Sequence, residues 1–169
     1  EKLVIHDVKT IVDHPEIGIV VETMGGTTPA YEFVKSCLLA GKHVVTSNKA
    51  LVAAHGTELI RIAAEKNVSF LFEASVGGGI PIIRTLVECL GGEEIEEISG
   101  ILNGTTNYIL TKMNEEGWSF EEALKRAQEL GYAERNPEAD VEGCDTCRKI
   151  AILTAVATGK EVDYEKIQT

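Results

Sequence analysis

The sequence predicts an α/β protein in two parts: half of a parallel, helix-crossed sheet over residues 1–75, and an α+β region over residues 76–169. Three observations carry this prediction. From Gly18 to Glu73, short apolar runs alternate with helical patterns in the order strand, helix, strand, helix, strand, which is how parallel crossovers are built. The glycines Gly77, Gly78 and Gly79 then interrupt that order. Beyond them the hydrophobic spacing is mostly helical, apart from one β-like run at Ile95–Leu102.

Residues 1–17 are weakly patterned; Leu3-Val4-Ile5 reads as a short strand and Thr10 to Glu16 as a turn. Gly18 to Glu22 is a short apolar run that ends at Thr23-Met24-Gly25-Gly26, a buried strand followed by a tight loop. Thr28 reads as an N-cap with Pro29 at the first helical position. Ala30, Phe33, Val34, Cys37 and Leu38 recur at helical spacing, and Gly41 closes that helix. His43 to Thr46 is the next strand, with Ser47-Asn48-Lys49 at its carboxyl end. A helix follows, clearest from Thr57 to Lys66, and Ser69 to Glu73 is the third strand. Ligands of such sheets sit beyond the carboxyl ends of the strands. Met24-Gly25-Gly26, Lys49 and the loop from Glu73 all fall there and mark a binding cleft.

In the second part, the triple glycine reads either as a hinge or as a loop whose carbonyls can turn toward one point. Ile82, Ile83, Leu86, Val87 and Leu90 mark a helix stopped by Gly91-Gly92. Ile95 to Leu102 is the expected strand of a second sheet, and Asn103 to Asn107 a turn and helix start. Ser119 and Glu122 form a capping box, with Phe120, Ala123, Leu124, Ala127 and Leu130 inward. Gly131 and Gly159 end the two remaining helices.

Composition narrows the function. The 169 residues carry a net charge of −11, which argues against nucleic acid and against anionic membrane surfaces. No apolar run reaches the ~18 residues of a membrane span. The chain does not begin with Met and shows no signal peptide. Cys37, Cys89, Cys144 and Cys147 are scattered in a chain with 44% hydrophobic residues, a pattern suited to a reducing cytosol. His6, His14, His43 and His55 lack metal-ligand spacing.

The densest chemistry lies between Gly131 and Lys149, which holds Glu134, Glu138, Asp140, Glu142 and Asp145, then Arg148 and Lys149. Pro137 keeps Asn136 out of regular helix. Asp145 and Lys149 are four apart and share a helix face. A carboxylate-rich loop hinged onto that helix can hold a small zwitterion beside a proton donor. An acidic surface loop with an ordinary i,i+4 pair accounts for the same residues. Cys144-Asp145-Thr146-Cys147 is formally a C-x-x-C, so a thiol-redox module is a further reading, with packed cysteines as its alternative.

The spacing of Glu134, Pro137, Asp140, Gly143, Asp145 and Lys149 resembles the substrate and catalytic segment of homoserine dehydrogenases, with Arg135-Asn136 in place of the usual Pro-Asp. The loop at Met24-Gly25-Gly26, then TSNKAL, EASVGGGIP and NGTTNYI, extend the resemblance from roughly Gly18 to Gly159. It implies a Rossmann-like NAD(P)-binding half followed by a substrate-binding, catalytic and dimerisation region. It implies NAD(P)-dependent interconversion of L-aspartate 4-semialdehyde and L-homoserine, a step in making aspartate-family amino acids. It implies Lys149 as proton donor, Lys49 as a second essential lysine near the nicotinamide, and Glu134, Asp140 and Asp145 as substrate residues. Gly25, Gly26 and Gly131 match cofactor contacts. A sodium ion is implied at Glu73 and the carbonyls of Val76, Gly78 and Ile80, and the expected assembly is a homodimer. The Gly-rich turn that holds pyrophosphate in such folds is not in this sequence, so the chain reads as an internal fragment, inactive alone. A non-catalytic dimerisation fragment is the alternative.

Overall fold

The computed structural model describes residues 4–168, so Leu3 of the expected Leu3–Ile5 strand lies outside the described residues, and Val4 and Ile5 join no strand. The expected turn at Thr10–Glu16 is preceded and partly replaced by a short helix, α1 (Val8–Val12), which the Asp7 side chain caps by accepting the Lys9 N–H, while Asp13, Pro15 and Glu16 do form turns.

Three strands form one parallel sheet in the order β1 (Ile19–Glu22), β2 (His43–Thr46), β3 (Phe70–Leu71). Glu22 lies opposite Thr46, and Val44 opposite Phe70. Helices α2 (Ala30–Leu39) and α3 (Lys49–Lys66) make the two crossovers. Thr28 does not cap α2: Pro29 holds the cap position without a side-chain bond, and the first turn closes through Tyr31 N–H to the Thr27 carbonyl. Helix α3 begins well before Thr57, from which its pattern is clearest in the sequence, because Asn48 is its N-cap and accepts from Leu51 N–H. Lys49 is thereby the first residue of a helix. The third strand is shorter than Ser69–Glu73, because the chain turns at Phe72 into a 3₁₀ turn (Glu73–Ser75) held by both Ser75 N–H and Oγ on the Phe72 carbonyl.

Helix α4 (Ile82–Arg84) runs on into a π-helical turn (Thr85–Cys89). Then come α5 (Gly104–Glu116), α6 (Phe120–Glu129), α7 (Glu138–Val141) and α8 (Cys144–Thr158), with a final 3₁₀ turn at Tyr164–Lys166. Ile95–Leu102 is not a strand, and no second sheet exists among the described residues. A strand needs a ladder partner for its N–H and C=O groups. None lies alongside this run, and Ile101 is left 74% exposed.

One core joins the two parts: Val34, Leu38, Val44, Leu51, Leu59 and Phe70 from the sheet unit pack with Ile83 and Leu86, and with Ile152 and Leu153 of α8. A smaller cluster, Ile109, Ala123, Ala127 and Ala133, holds α5 to α6. Lys42 is a buried cation the sequence did not single out; its Nζ donates to the carbonyls of His14 (2.8 Å) and Ile17 (2.7 Å), pinning the entry to β1. Among the described residues no helix is long and apolar enough to cross a membrane.

Candidate active site

Gly143, at φ 77°, takes the left-handed turn that redirects the chain from α7 into α8, and this sets Asp145 in the first turn of α8. One turn on, Lys149 Nζ donates to Asp145 Oδ2 at 2.9 Å. Lys49, at the start of α3, donates to the other oxygen, Oδ1. Both lysines thus meet on one carboxylate. Lys149 Nζ also donates to the Leu102 carbonyl at 2.7 Å. An ammonium has three donors, so one N–H of Lys149 remains for a further acceptor.

Asn103 completes the cluster and was not singled out as a site residue. It is the N-cap of α5, and its Oδ1 accepts from Thr106 N–H (2.8 Å) and Thr106 Oγ1 (2.9 Å). That fixes the amide so that Nδ2 donates to Asp140 Oδ1 at 2.8 Å and Asp145 Oδ2 at 3.1 Å. The visible signal was its place at the head of NGTTNYI, a helix start whose cap has a spare donor.

Side-chain exposure grades the group: Asp145 8%, Lys149 14% and Lys49 37%. Burial pushes the Asp145 carboxyl up, but hydrogen bonds from Lys49, Lys149 and Asn103 outweigh it and hold the group at about 2. The result is an ionised carboxylate that carries two ammonium groups into one place, one nearly enclosed and one reachable from solvent.

The other predicted residues divide. Asp140 joins the cluster through Asn103. Glu134 does not: its side chain is exposed, and only its backbone carbonyl is bonded, by Gln128 Nε2 at 3.1 Å. Gly26, at φ 73°, forms the loop beyond β1, and its carbonyl accepts from Asn48 Nδ2 at 2.7 Å; an added Cβ at Gly25 meets nothing within 4 Å. Gly131, at φ 78°, ends α6 and bonds none of the cluster. Both Glu73 oxygens accept from the start of α4, from Ile83 N–H and Arg84 N–H at 2.8 Å each. The Ile80 carbonyl accepts from Ile82 N–H, and Gly78 turns at φ 61° beside Val76.

Cys147 is buried, and desolvation raises its thiol pKa, with Cys144 nearby adding to the rise. Its Sγ donates to the Tyr164 carbonyl at 3.1 Å. A redox pair needs the thiolate stabilised, and this environment does the reverse. Among the described residues no three His, Cys, Asp or Glu side chains converge on a metal site. A cavity of about 840 Å³ lies between α3, α4 and α8, where Val52, Phe72, Ile83 and Val156 line it together with His55, Glu58 and Arg84. Lys49, Asp140, Asp145 and Lys149 all lie outside its lining, and the Asp145 cluster is the candidate site.

Comparison with known proteins identifies the family. The family described as homoserine dehydrogenase matches residues 81–169, and that family's NAD-binding domain matches residues 1–73. A homoserine dehydrogenase of Synechocystis sp. is 50% identical over 161 residues, 95% of this chain and 37% of the relative. One of Bacillus subtilis is 46% identical over 162 residues, again covering 37% of the relative. The crystal structure of a homoserine dehydrogenase from Thiobacillus denitrificans superposes with a TM-score of 0.88 at 49% identity, covering 95% of this chain and 37% of that one. A hyperthermophilic archaeal homoserine dehydrogenase in complex with NADPH superposes with a TM-score of 0.86 at 36% identity, covering 95% and 50%. The chain thus spans little more than a third of the curated relatives it matches. Its Lys49–Asp145 bond joins the two matched regions. With an NAD-binding Rossmann-like unit, a following match to the homoserine dehydrogenase family and these relatives, the chain belongs to the homoserine dehydrogenase family.

Proposed function

We propose that this chain supplies the nicotinamide-facing and substrate-facing parts of a homoserine dehydrogenase, which interconverts L-aspartate 4-semialdehyde and L-homoserine with NAD or NADP. The observation that carries the reading is Asp145 gripping Lys49 and Lys149 together. A bound nicotinamide supplies or accepts the hydride at the carbon of the aldehyde or alcohol. Lys149 gives a proton to the carbonyl oxygen as the alcohol forms, using the N–H that neither Asp145 nor Leu102 holds. Asp145, ionised and flanked by Asn103 and Asp140, is the counter-charge for a substrate ammonium. Lys49, the more exposed lysine, swings from Asp145 to cofactor or substrate oxygens when these arrive. Glu134 meets substrate by movement of the exposed loop at residues 131–137, and Gly25, Gly26 and Gly131 let backbone approach the cofactor.

Three further assignments belong to this reading. The domain boundary lies near residue 75. A homodimer forms through the second part, supported by exposed Ile98, Ile101 and Leu110. Glu73 and the carbonyls of Val76, Gly78 and Ile80 would hold a sodium ion; these are hard oxygen donors, and a carboxylate oxygen already holding one N–H has a second lone pair. No proton or hydride step depends on that ion.

The test is a steady-state assay of the full-length protein with L-homoserine and NAD or NADP. Lys149→Ala is expected to cut turnover by the ~10²–10⁴ of a lost general acid. Unchanged turnover removes Lys149 from the role, and no turnover by the unaltered protein overturns the reading.

A further inference from the structure

At the carboxyl ends of β1 and β2 lies a second polar cluster that the mechanism above does not use. Glu22 is 5% exposed, yet no lysine, arginine or histidine pairs with it among the described residues. Its Oε2 accepts from the Thr46 hydroxyl, directly across the parallel ladder, and its Oε1 accepts from Met24 N–H at 2.5 Å. Thr46 Oγ1 in turn accepts from Asn48 N–H at 2.9 Å. Asn48 then works at both ends: Oδ1 accepts from Leu51 N–H (3.1 Å), capping the helix that begins with Lys49, while Nδ2 donates to the Gly26 carbonyl (2.7 Å).

These bonds close a ring. It holds the Met24–Gly26 loop at both of its ends and the start of α3 at the same time. A buried carboxylate is costly unless hydrogen-bonded, and no core requirement explains a Glu at this place in a strand of otherwise apolar residues.

We propose that Glu22, Thr46 and Asn48 are positioning residues that couple the Gly25-Gly26 loop to Lys49, so that cofactor seated on the loop sets the pose of the lysine. This rests on the reading that Gly25, Gly26 and Lys49 meet the nicotinamide cofactor. The ring touches no substrate atom itself, and its effect passes through the loop and the helix start.

Three variants of the full-length protein separate coupling from mere folding. Thr46→Val removes the hydroxyl that joins Glu22 to Asn48, and Thr46→Ser restores it. Asn48→Asp keeps the helix cap but turns the donor to the Gly26 carbonyl into an acceptor. Thr46→Val and Asn48→Asp are expected to raise the KM for NAD or NADP about tenfold, the size of one lost hydrogen bond, and to leave the KM for homoserine within about twofold. Thr46→Ser stays near the unaltered protein. Hydrogen exchange without cofactor gives a second readout that needs no activity: Thr46→Val should speed exchange at Asn48 and at Met24 together. If exchange rises at Asn48 but not at Met24, or if both KM values rise in step with a fall in Tm, the coupling is overturned. If the unaltered protein turns over no homoserine, the dehydrogenase reading fails, while the exchange experiment still decides whether the ring couples loop to helix.

Discussion

The sheet unit and the stretch Gly91–Asn103 use the same kinds of residue and end in opposite states. In the sheet unit, β1, β2 and β3 are joined by the helical crossovers α2 and α3, so each strand finds a parallel ladder partner. Ile95–Leu102 also carries isoleucines, at Ile95, Ile98 and Ile101, but Glu96, Glu97 and Gly100 interrupt them, no partner lies alongside, and it stays irregular. Strand propensity describes a residue that fits a pleated, half-buried surface; it does not supply the surface. The sheet has its own version of this. Val20, Val44 and Phe70 turn toward the helices, while Ile19, Val21 and Leu71 on the other face are exposed.

The contrast can be broken first by truncation. Leu51→Ala, in the shared core, should cost about 2–5 kcal/mol, whereas Ile101→Ala should stay within about 0.5 kcal/mol. Urea unfolding of the chain measures both, and equal losses would mean that Gly91–Asn103 is packed after all. Acid sharpens the contrast next. Asp145 sits below its unfolded pKa, so its contribution is present above about pH 4 and is lost as pH falls toward 2. The size is up to about 2 kcal/mol. Asp145→Asn should flatten the stability profile over that window; an unchanged slope would show that the lysines do not hold the carboxylate. The smallest effect is local. Ser119→Ala removes a complete capping box from α6 and should cost about 1 kcal/mol. It should do so without altering turnover.

Much of the site was legible because its parts are local. The i,i+4 spacing of Asp145 and Lys149, and the strand-end place of Lys49, are readable in the residues themselves. The capping box at Ser119 and Glu122 was legible for the same reason. Asn103 was not, because its second role depends on α5 and α8 meeting in space, a contact across 42 positions. The Glu22–Thr46 bond was equally hidden, since only the ladder register brings them together. Glu134 shows the reverse: its spacing marks a site residue, but the loop that carries it stands open.

One carboxylate, Asp145, holds two lysines from the two matched regions in a single site. Carbon-13 NMR of the Asp145 carboxyl group, followed from neutral pH downward, tests it most directly. Asp145 is expected to stay ionised at about pH 3.5, where an ordinary aspartate is mostly protonated, and replacing Lys49 and Lys149 by Met is expected to move its midpoint upward. A midpoint near 3.9 in the unaltered chain, unmoved by either replacement, would contradict it.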